Sequence, residues 1–259
     1  MKQATAVRLF LLGLPIGLIV TSTASLLWHF NKPKESGPPV IYTDLAQEMT
    51  ASEMASYVHN LSKVIGPRHL SDPATLDRSA NYIESTLGPL NIGFEVAEQV
   101  FEVGGQTVRN LWVEIPGGKR RNECVVVVAH YDAPQNSSGS NDNASSVAAL
   151  LALAENFVQE KPALTLRLAW LTNGTPPYAG TPDSGAAHFA ELLKREGDVV
   201  TAVFCLKQLG AYPSEHEAFL ETLRPLLPDR GPFLSLLARP EAAPLLSKSS
   251  SLFSKALPF

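Results

Sequence analysis

The sequence runs to 259 residues, of which 45% are hydrophobic, with a formal net charge of −4. That is enough chain for one good-sized domain or two small ones. The acidic balance gives no basic footprint, which argues against a nucleic-acid partner. The two cysteines, Cys124 and Cys205, both fall in strand-like apolar runs and read as small buried hydrophobes, silent about redox compartment.

Residues 9–30 carry no formal charge and follow Lys2 and Arg8. A membrane-spanning helix needs ~20 apolar residues, and this run is long enough. Trp28 and Phe30 suit a membrane interface. The competing reading is a cleaved signal peptide, with the small residues Ser22 and Ala24 ahead of the cut. Lys2 and Arg8 place the N-terminus in the cytoplasm and the body outside it, although Lys32 and Lys34 on the far side work against that orientation. The expected location is therefore the membrane, single-pass with an extracytoplasmic body, or the secreted or periplasmic space after cleavage. Residues 1–30 form the anchor or signal segment, 31–40 a Pro- and Gly-containing linker, and 41–259 the folded unit.

Thr50 with Glu53 makes a capping box for a helix to about Val64. Asp72 and Pro73 start a second helix, which Gly88 ends. Residues 94–103 and 107–115 alternate around Gly104-Gly105 and predict an antiparallel hairpin. Residues 116–121 read as a basic turn.

The rhythm then changes. Residues 125–129 are an unbroken apolar, β-branched run, the mark of a strand buried on both faces. A helix over 144–158, a strand over 164–171, a helix over 184–195 and a strand over 199–206 follow. That β-α-β-α-β order calls for a parallel sheet with right-handed crossovers. Beyond Gly210 the chain is richer in proline, with a helix expected near 215–226 and a short strand-like run at 233–237. No internal repeat stands out.

His130 and Asp132 stand where the central strand ends, and Asp142 precedes the next helix. In open α/β sheets ligands gather outside the carboxyl ends of the strands, so these residues form a candidate metal or acid/base site. By residue type alone, Asp142 or Asn143 equally reads as a helix cap and Asp132 as a turn residue.

The segment VVVVAHYDAPQNSSGSNDNASSVAALLALAENF resembles the zinc-ligand segment of the co-catalytic zinc aminopeptidases. Their relatives include glutaminyl cyclases, the transferrin receptor ectodomain, nicastrin and nicalin. The shared pattern is a strand ending in His-x-Asp, a Gly/Asn-rich loop with Asn-Asp-Asn-Ala, and a helix. Weaker echoes include Gly66-Pro67-Arg68, the Pro176-Pro177 loop and Leu209-Gly210. The resemblance implies an α/β fold, a three-layer α-β-α domain with a mixed, mainly parallel central sheet. It implies zinc as cofactor, with His130 as a ligand, Asp132 orienting its imidazole and Asp142 bridging two ions.

The rest of the family constellation is missing. A Glu-Glu pair, general base and ligand, is expected after the second parallel strand, where this chain has Gly174 and Thr175. An acidic ligand is expected after the third, where it has Lys207, whose ammonium opposes a dication. No histidine follows His216, so the last ligand is absent and the domain is expected to be incomplete at its C-terminus. His188 and His216 lack ligand spacing and read as surface or packing residues.

Three functions follow from this pattern. One is a membrane-anchored peptidase-family domain without catalysis, with zinc not stably held and a peptide or protein partner. Another is an active zinc aminopeptidase, marked by a compensating carboxylate such as Asp183 or Glu215. The third is a truncated remnant without a stable fold.

Overall fold

The computed structural model describes residues 51–210 and 235–256. These fall in two units, residues 51–237 and residues 238–256. The anchor or signal segment, the linker, Thr50, the helix expected near 215–226 and His216 lie outside the described residues. Among the described residues no helix is long and apolar enough to cross a membrane.

Helix α1, Ala51–His59, continues into a widened turn at Asn60–Ile65 that closes at Gly66. Helix α2, Pro73–Leu87, begins where the expected cap stands: the Asp72 carboxylate accepts from the Thr75 amide, and Pro73 takes the first helical position. Strands β1, Ala97–Val103, and β2, Gln106–Ile115, pair antiparallel. Gly104 and Gly105 join them with φ of 56° and 75°, the left-handed pair that a two-residue hairpin turn requires.

Strand β3, Arg120–His130, is longer than its apolar run, because Arg120–Asn122 extend it backwards out of the expected basic turn. Helix α3, Ser145–Phe157, leads to β4, Leu164–Leu171. Helix α4, Gly185–Glu196, is capped by the Ser184 hydroxyl, which accepts from the Ala187 amide; it leads to β5, Val199–Cys205. The strand order is β1-β2-β4-β3-β5, with β4, β3 and β5 parallel and the hairpin added antiparallel on the β4 side. The sheet is mixed, with its parallel part carrying the β-α-β-α-β run.

Period-two alternation sends successive residues of β3 and β4 to opposite faces. Val127, Ala129, Leu168 and Trp170 join Leu61 and residues of α2 and α3 in one buried cluster, against which the partly buried Tyr57 and Val58 of α1 pack. Val126, Val128, Ala169 and Leu171 join Phe189, Leu192 and Leu193 of α4 in another. Helices therefore cover both faces, giving the α-β-α layering. Burial on two sides is what an unbroken valine run records, each fully buried side chain contributing about 1.5–3 kcal/mol.

Two expectations are corrected. Cys124 is buried, but Cys205 is exposed, one of the alternate residues that β5, an edge strand of the described sheet, turns outward with Val199, Thr201 and Val203. In the strand-like run at 233–237, residues 235–237 adopt no strand. The second unit contributes helix α5, Ala243–Ala256.

Candidate functional site at the carboxyl ends of the parallel strands

Strands β3, β4 and β5 run the same way, so the loops that follow them emerge at one edge of the sheet. His130 is the last residue of β3, Gly174 and Thr175 follow β4, and Lys207 and Gln208 follow β5. Asp132 and Asp142 lie on the loop between β3 and α3.

His130 is 8% exposed and sits between the two carboxylates. Its Nδ1 lies 3.1 Å from the Asp132 carbonyl oxygen and 3.3 Å from Asp132 Oδ1. Its Nε2 lies 3.2 Å from Asp142 Oδ1. That contact is an ion pair whose geometry falls short of a directed hydrogen bond, leaving both buried atoms without a hydrogen-bond partner. Burial pushes the imidazole pKa down, but the neighbouring Asp132 and Asp142 carboxylates outweigh it and push the pKa up to about 9. The same partnership holds both carboxyls below their usual range against the opposing effect of burial.

Asp132 is the most enclosed of the three, 1% exposed. Its Oδ1 accepts from the Gly174 amide at 2.8 Å, and its Oδ2 from the Thr175 amide at 3.0 Å and the Thr175 hydroxyl at 2.7 Å. A buried charge needs this many donors. Asp132 is thus more than a turn residue: it stands beside the His130 ring and pins the loop after β4.

Asp142 does not cap α3. Helix α3 has no side-chain cap, and the Ala144 amide donates instead to the Gly139 carbonyl at 2.9 Å. Asp142 Oδ2 accepts from Gln208 Nε2 at 3.1 Å, and the charge of exposed Lys207 helps to keep the carboxyl ionised. Asn143, fully buried, stitches the β3 and β5 loops together. Its Nδ2 donates to the His130 and Leu206 carbonyls, and its Oδ1 accepts from the Gln208 amide. Asn143 is visible in the sequence only as part of the Asn-Asp-Asn-Ala loop and as a candidate cap, and Gln208 carries no pattern of its own. Their roles exist only once two distant loops meet.

The loop after β4 presents no carboxylate to His130 or Asp142. Thr175 spends its hydroxyl on Asp132, and at Gly174 a Cβ would stand 2.4 Å from His130 Cβ and 2.5 Å from its Cγ. The imidazole occupies the volume that a side chain at position 174 needs. Gly174→Ala is therefore expected to cost about 1–3 kcal/mol through overpacking, read as a lowered denaturant midpoint at unchanged slope. Gly174→Glu is expected to cost at least as much and to install no base beside His130. A Gly174→Ala protein as stable as the wild type would show that the ring moves freely.

Asp183 is exposed, and only its backbone engages this loop, its carbonyl accepting from Asn173 Nδ2. His188 stacks on Phe101 of the hairpin at 3.8 Å between ring centroids, a packing role. Zinc takes roughly three to four protein ligands. His130 and Asp142 would supply two, and no group of three or more His, Cys, Asp or Glu able to hold a metal occurs among the described residues. The described residues thus do not complete a zinc site.

Known proteins give this geometry a context. Residues 110–222 match the model of Peptidase family M28. An uncharacterized protein of Escherichia coli, YfbL, is 28% identical over 199 residues, which are 67% of this chain and 61% of that protein. The chain therefore spans less than two thirds of the length of this relative. Among solved structures, a zinc aminopeptidase from Bacillus subtilis aligns with a TM-score of 0.54 at 14% identity, over 62% of this chain and 70% of that one. A glutaminyl cyclase from Porphyromonas gingivalis aligns with a TM-score of 0.53 at 22% identity, over 64% and 62%. A Zn-dependent exopeptidase from Parabacteroides distasonis gives 0.51 at 22%, over 64% and 63%. These likenesses show a shared fold. With the His-x-Asp strand end and the Asn-Asp-Asn-Ala loop at the head of the parallel sheet, residues 110–222 are similar to Peptidase family M28, and the fold is the one seen in a zinc aminopeptidase and a glutaminyl cyclase.

Proposed function

We propose that this chain is a membrane-attached, extracytoplasmic peptidase-family domain that binds a peptide or protein partner and does not hydrolyse it. The observation that carries this reading is the loop after β4. General-base catalysis needs a titratable group within reach of the attacking water. Here Gly174 has no side chain, its Cβ position is filled by His130, and the Thr175 hydroxyl is committed to Asp132. The positive charge of Lys207 acts on Asp142, which further opposes a dication there. Attachment rests on the uncharged run of residues 9–30 behind Lys2 and Arg8.

A second reading is favoured by one contact. His130 Nε2 and Asp142 Oδ1 face each other at 3.2 Å, buried and without hydrogen-bond partners. Such a pair suits an active zinc aminopeptidase acting on peptide N-termini, with its further ligands drawn from outside the described residues.

The deciding experiment is zinc titration calorimetry on the full chain with metal analysis, beside an assay of aminoacyl-substrate hydrolysis with and without chelator. His130→Ala serves as control. The expected result is a folded protein with neither stoichiometric zinc nor chelator-sensitive hydrolysis. Stoichiometric zinc with hydrolysis, both lost in His130→Ala, would establish the second reading. A chain without a cooperative melt would defeat both.

A further inference from the structure

The Gly66-Pro67-Arg68 segment belongs to neither a strand end nor the site, yet Arg68 is fully buried. A guanidinium carries five N–H donors in a fixed fork. Arg68 directs its fork at five backbone carbonyls. Nε donates to Tyr131 at 3.0 Å; Nη1 donates to Leu61 at 2.7 Å, Gly66 at 3.0 Å and Ser138 at 2.9 Å; Nη2 donates to Gly139 at 3.0 Å. The Arg68 carbonyl in turn accepts from the Ala133 amide at 2.6 Å. Burial works against the charge, and the Asp132 carboxylate works in its favour.

These carbonyls come from three separate stretches. Leu61 and Gly66 close the end of α1. Tyr131 lies between His130 and Asp132. Ser138 and Gly139 lead the loop into Asp142, and the Gly139 carbonyl also receives the Ala144 amide. Gly139 has a φ of 61°, and a Cβ there would stand 2.6 Å from Arg68 Nη2. The absence of a side chain at 139 is what lets the loop close on the guanidinium.

We propose that Arg68 is the positioning residue of this site: by holding Tyr131 and the Ser138–Gly139 stretch at once, its guanidinium sets where Asp142 stands relative to His130. It touches neither residue through its side chain and acts only through the backbone it binds. A lysine offers three donors on one point and cannot span the five carbonyls, so charge alone does not replace it. The assignment rests on the reading of His130, Asp132 and Asp142 as the site, and it holds whether or not that site hydrolyses anything.

The test is Arg68→Lys in the full chain, labelled with 15N-histidine, with the His130 resonances identified by their loss in His130→Gln. Arg167→Lys is the control, since Arg167 is also nearly buried but is paired with Glu114, Glu196 and Asp198 away from the site. In folded Arg68→Lys the His130 ring resonances are expected to move, and the Ala144 amide to exchange about tenfold faster or more while the Val127 amide keeps its protection. Arg167→Lys is expected to leave the His130 and Ala144 signals unchanged. A folded Arg68→Lys protein with wild-type His130 and Ala144 signals would overturn the proposal.

Should Arg68→Lys fail to fold, the wild-type protein decides by hydrogen exchange. The Arg68 Nε–H and the Ala144 amide are expected to share one opening, with protection equal to within about threefold. An Arg68 Nε–H exchanging about a hundredfold faster than Ala144 would overturn the proposal. Wild-type His130 ring resonances at the shifts of a solvated imidazole would instead overturn the site reading, with Ala144 still reporting whether Arg68 holds the loop.

Discussion

Asp132→Ala is expected to destabilise the fold by about 3–5 kcal/mol, the range for breaking a buried charge pair by removing one partner. Three donors, the Gly174 amide and the Thr175 amide and hydroxyl, lose their acceptor at once, and the His130 ring loses the carboxylate at 3.3 Å. Each buried group left unpaired costs about 1–3 kcal/mol, with partial relief as the loop relaxes. Thermal unfolding followed by circular dichroism should show a midpoint lower by about 10 °C. Thr175→Val, which removes one donor and keeps Asp132, is expected to cost only about 1–2 kcal/mol. An Asp132→Ala loss below that of Thr175→Val would show that the carboxylate is not the centre of this network.

The second large effect is on pH. The His130 imidazole, pushed up from 6.5 to about 9, is charged in the folded protein over a range where it is neutral in the unfolded chain. A folded pKa above the unfolded one contributes stability that is fully present below pH 6.5 and is lost as pH rises through about 9. The loss is on the order of 3 kcal/mol, since each tenfold gain in proton affinity on folding is worth about 1.4 kcal/mol. Asp132 and Asp142, held below 3.8, act on the acid side: their contribution is present above that value and is lost as pH falls through their folded pKa values. Denaturant titrations in chelator should therefore give a plateau between about pH 4 and 6.5 and a decline toward pH 9. In His130→Gln the decline above pH 6.5 should vanish. A wild-type protein equally stable at pH 6.5 and 9 would show that the imidazole does not carry the charge.

The parallel core is legible in the sequence because its physics is local. An uninterrupted valine run, helices of the right period and strands of eight and seven residues leave little freedom in how β3, β4 and β5 assemble. Asp72 shows the same locality, since a cap reaches only two or three residues ahead. Cys205 shows its limit: an apolar strand residue is buried only if something lies over its face, and sequence does not say which strand ends the sheet.

Within the site, the sequence determined which chemical groups this protein owns. His130, Asp132 and Asp142 are present, and Gly174, Thr175 and Lys207 stand where carboxylates are expected. Their arrangement was settled only by the tertiary structure. Position 174 meets the His130 ring across 44 residues of chain, Gln208 reaches Asp142 across 66, and Arg68 binds the Gly139 carbonyl across 71. No periodicity or local spacing encodes such contacts. They follow from three parallel strands delivering their loops to the same edge of the sheet, where buried polar groups must find partners among whatever residues arrive there.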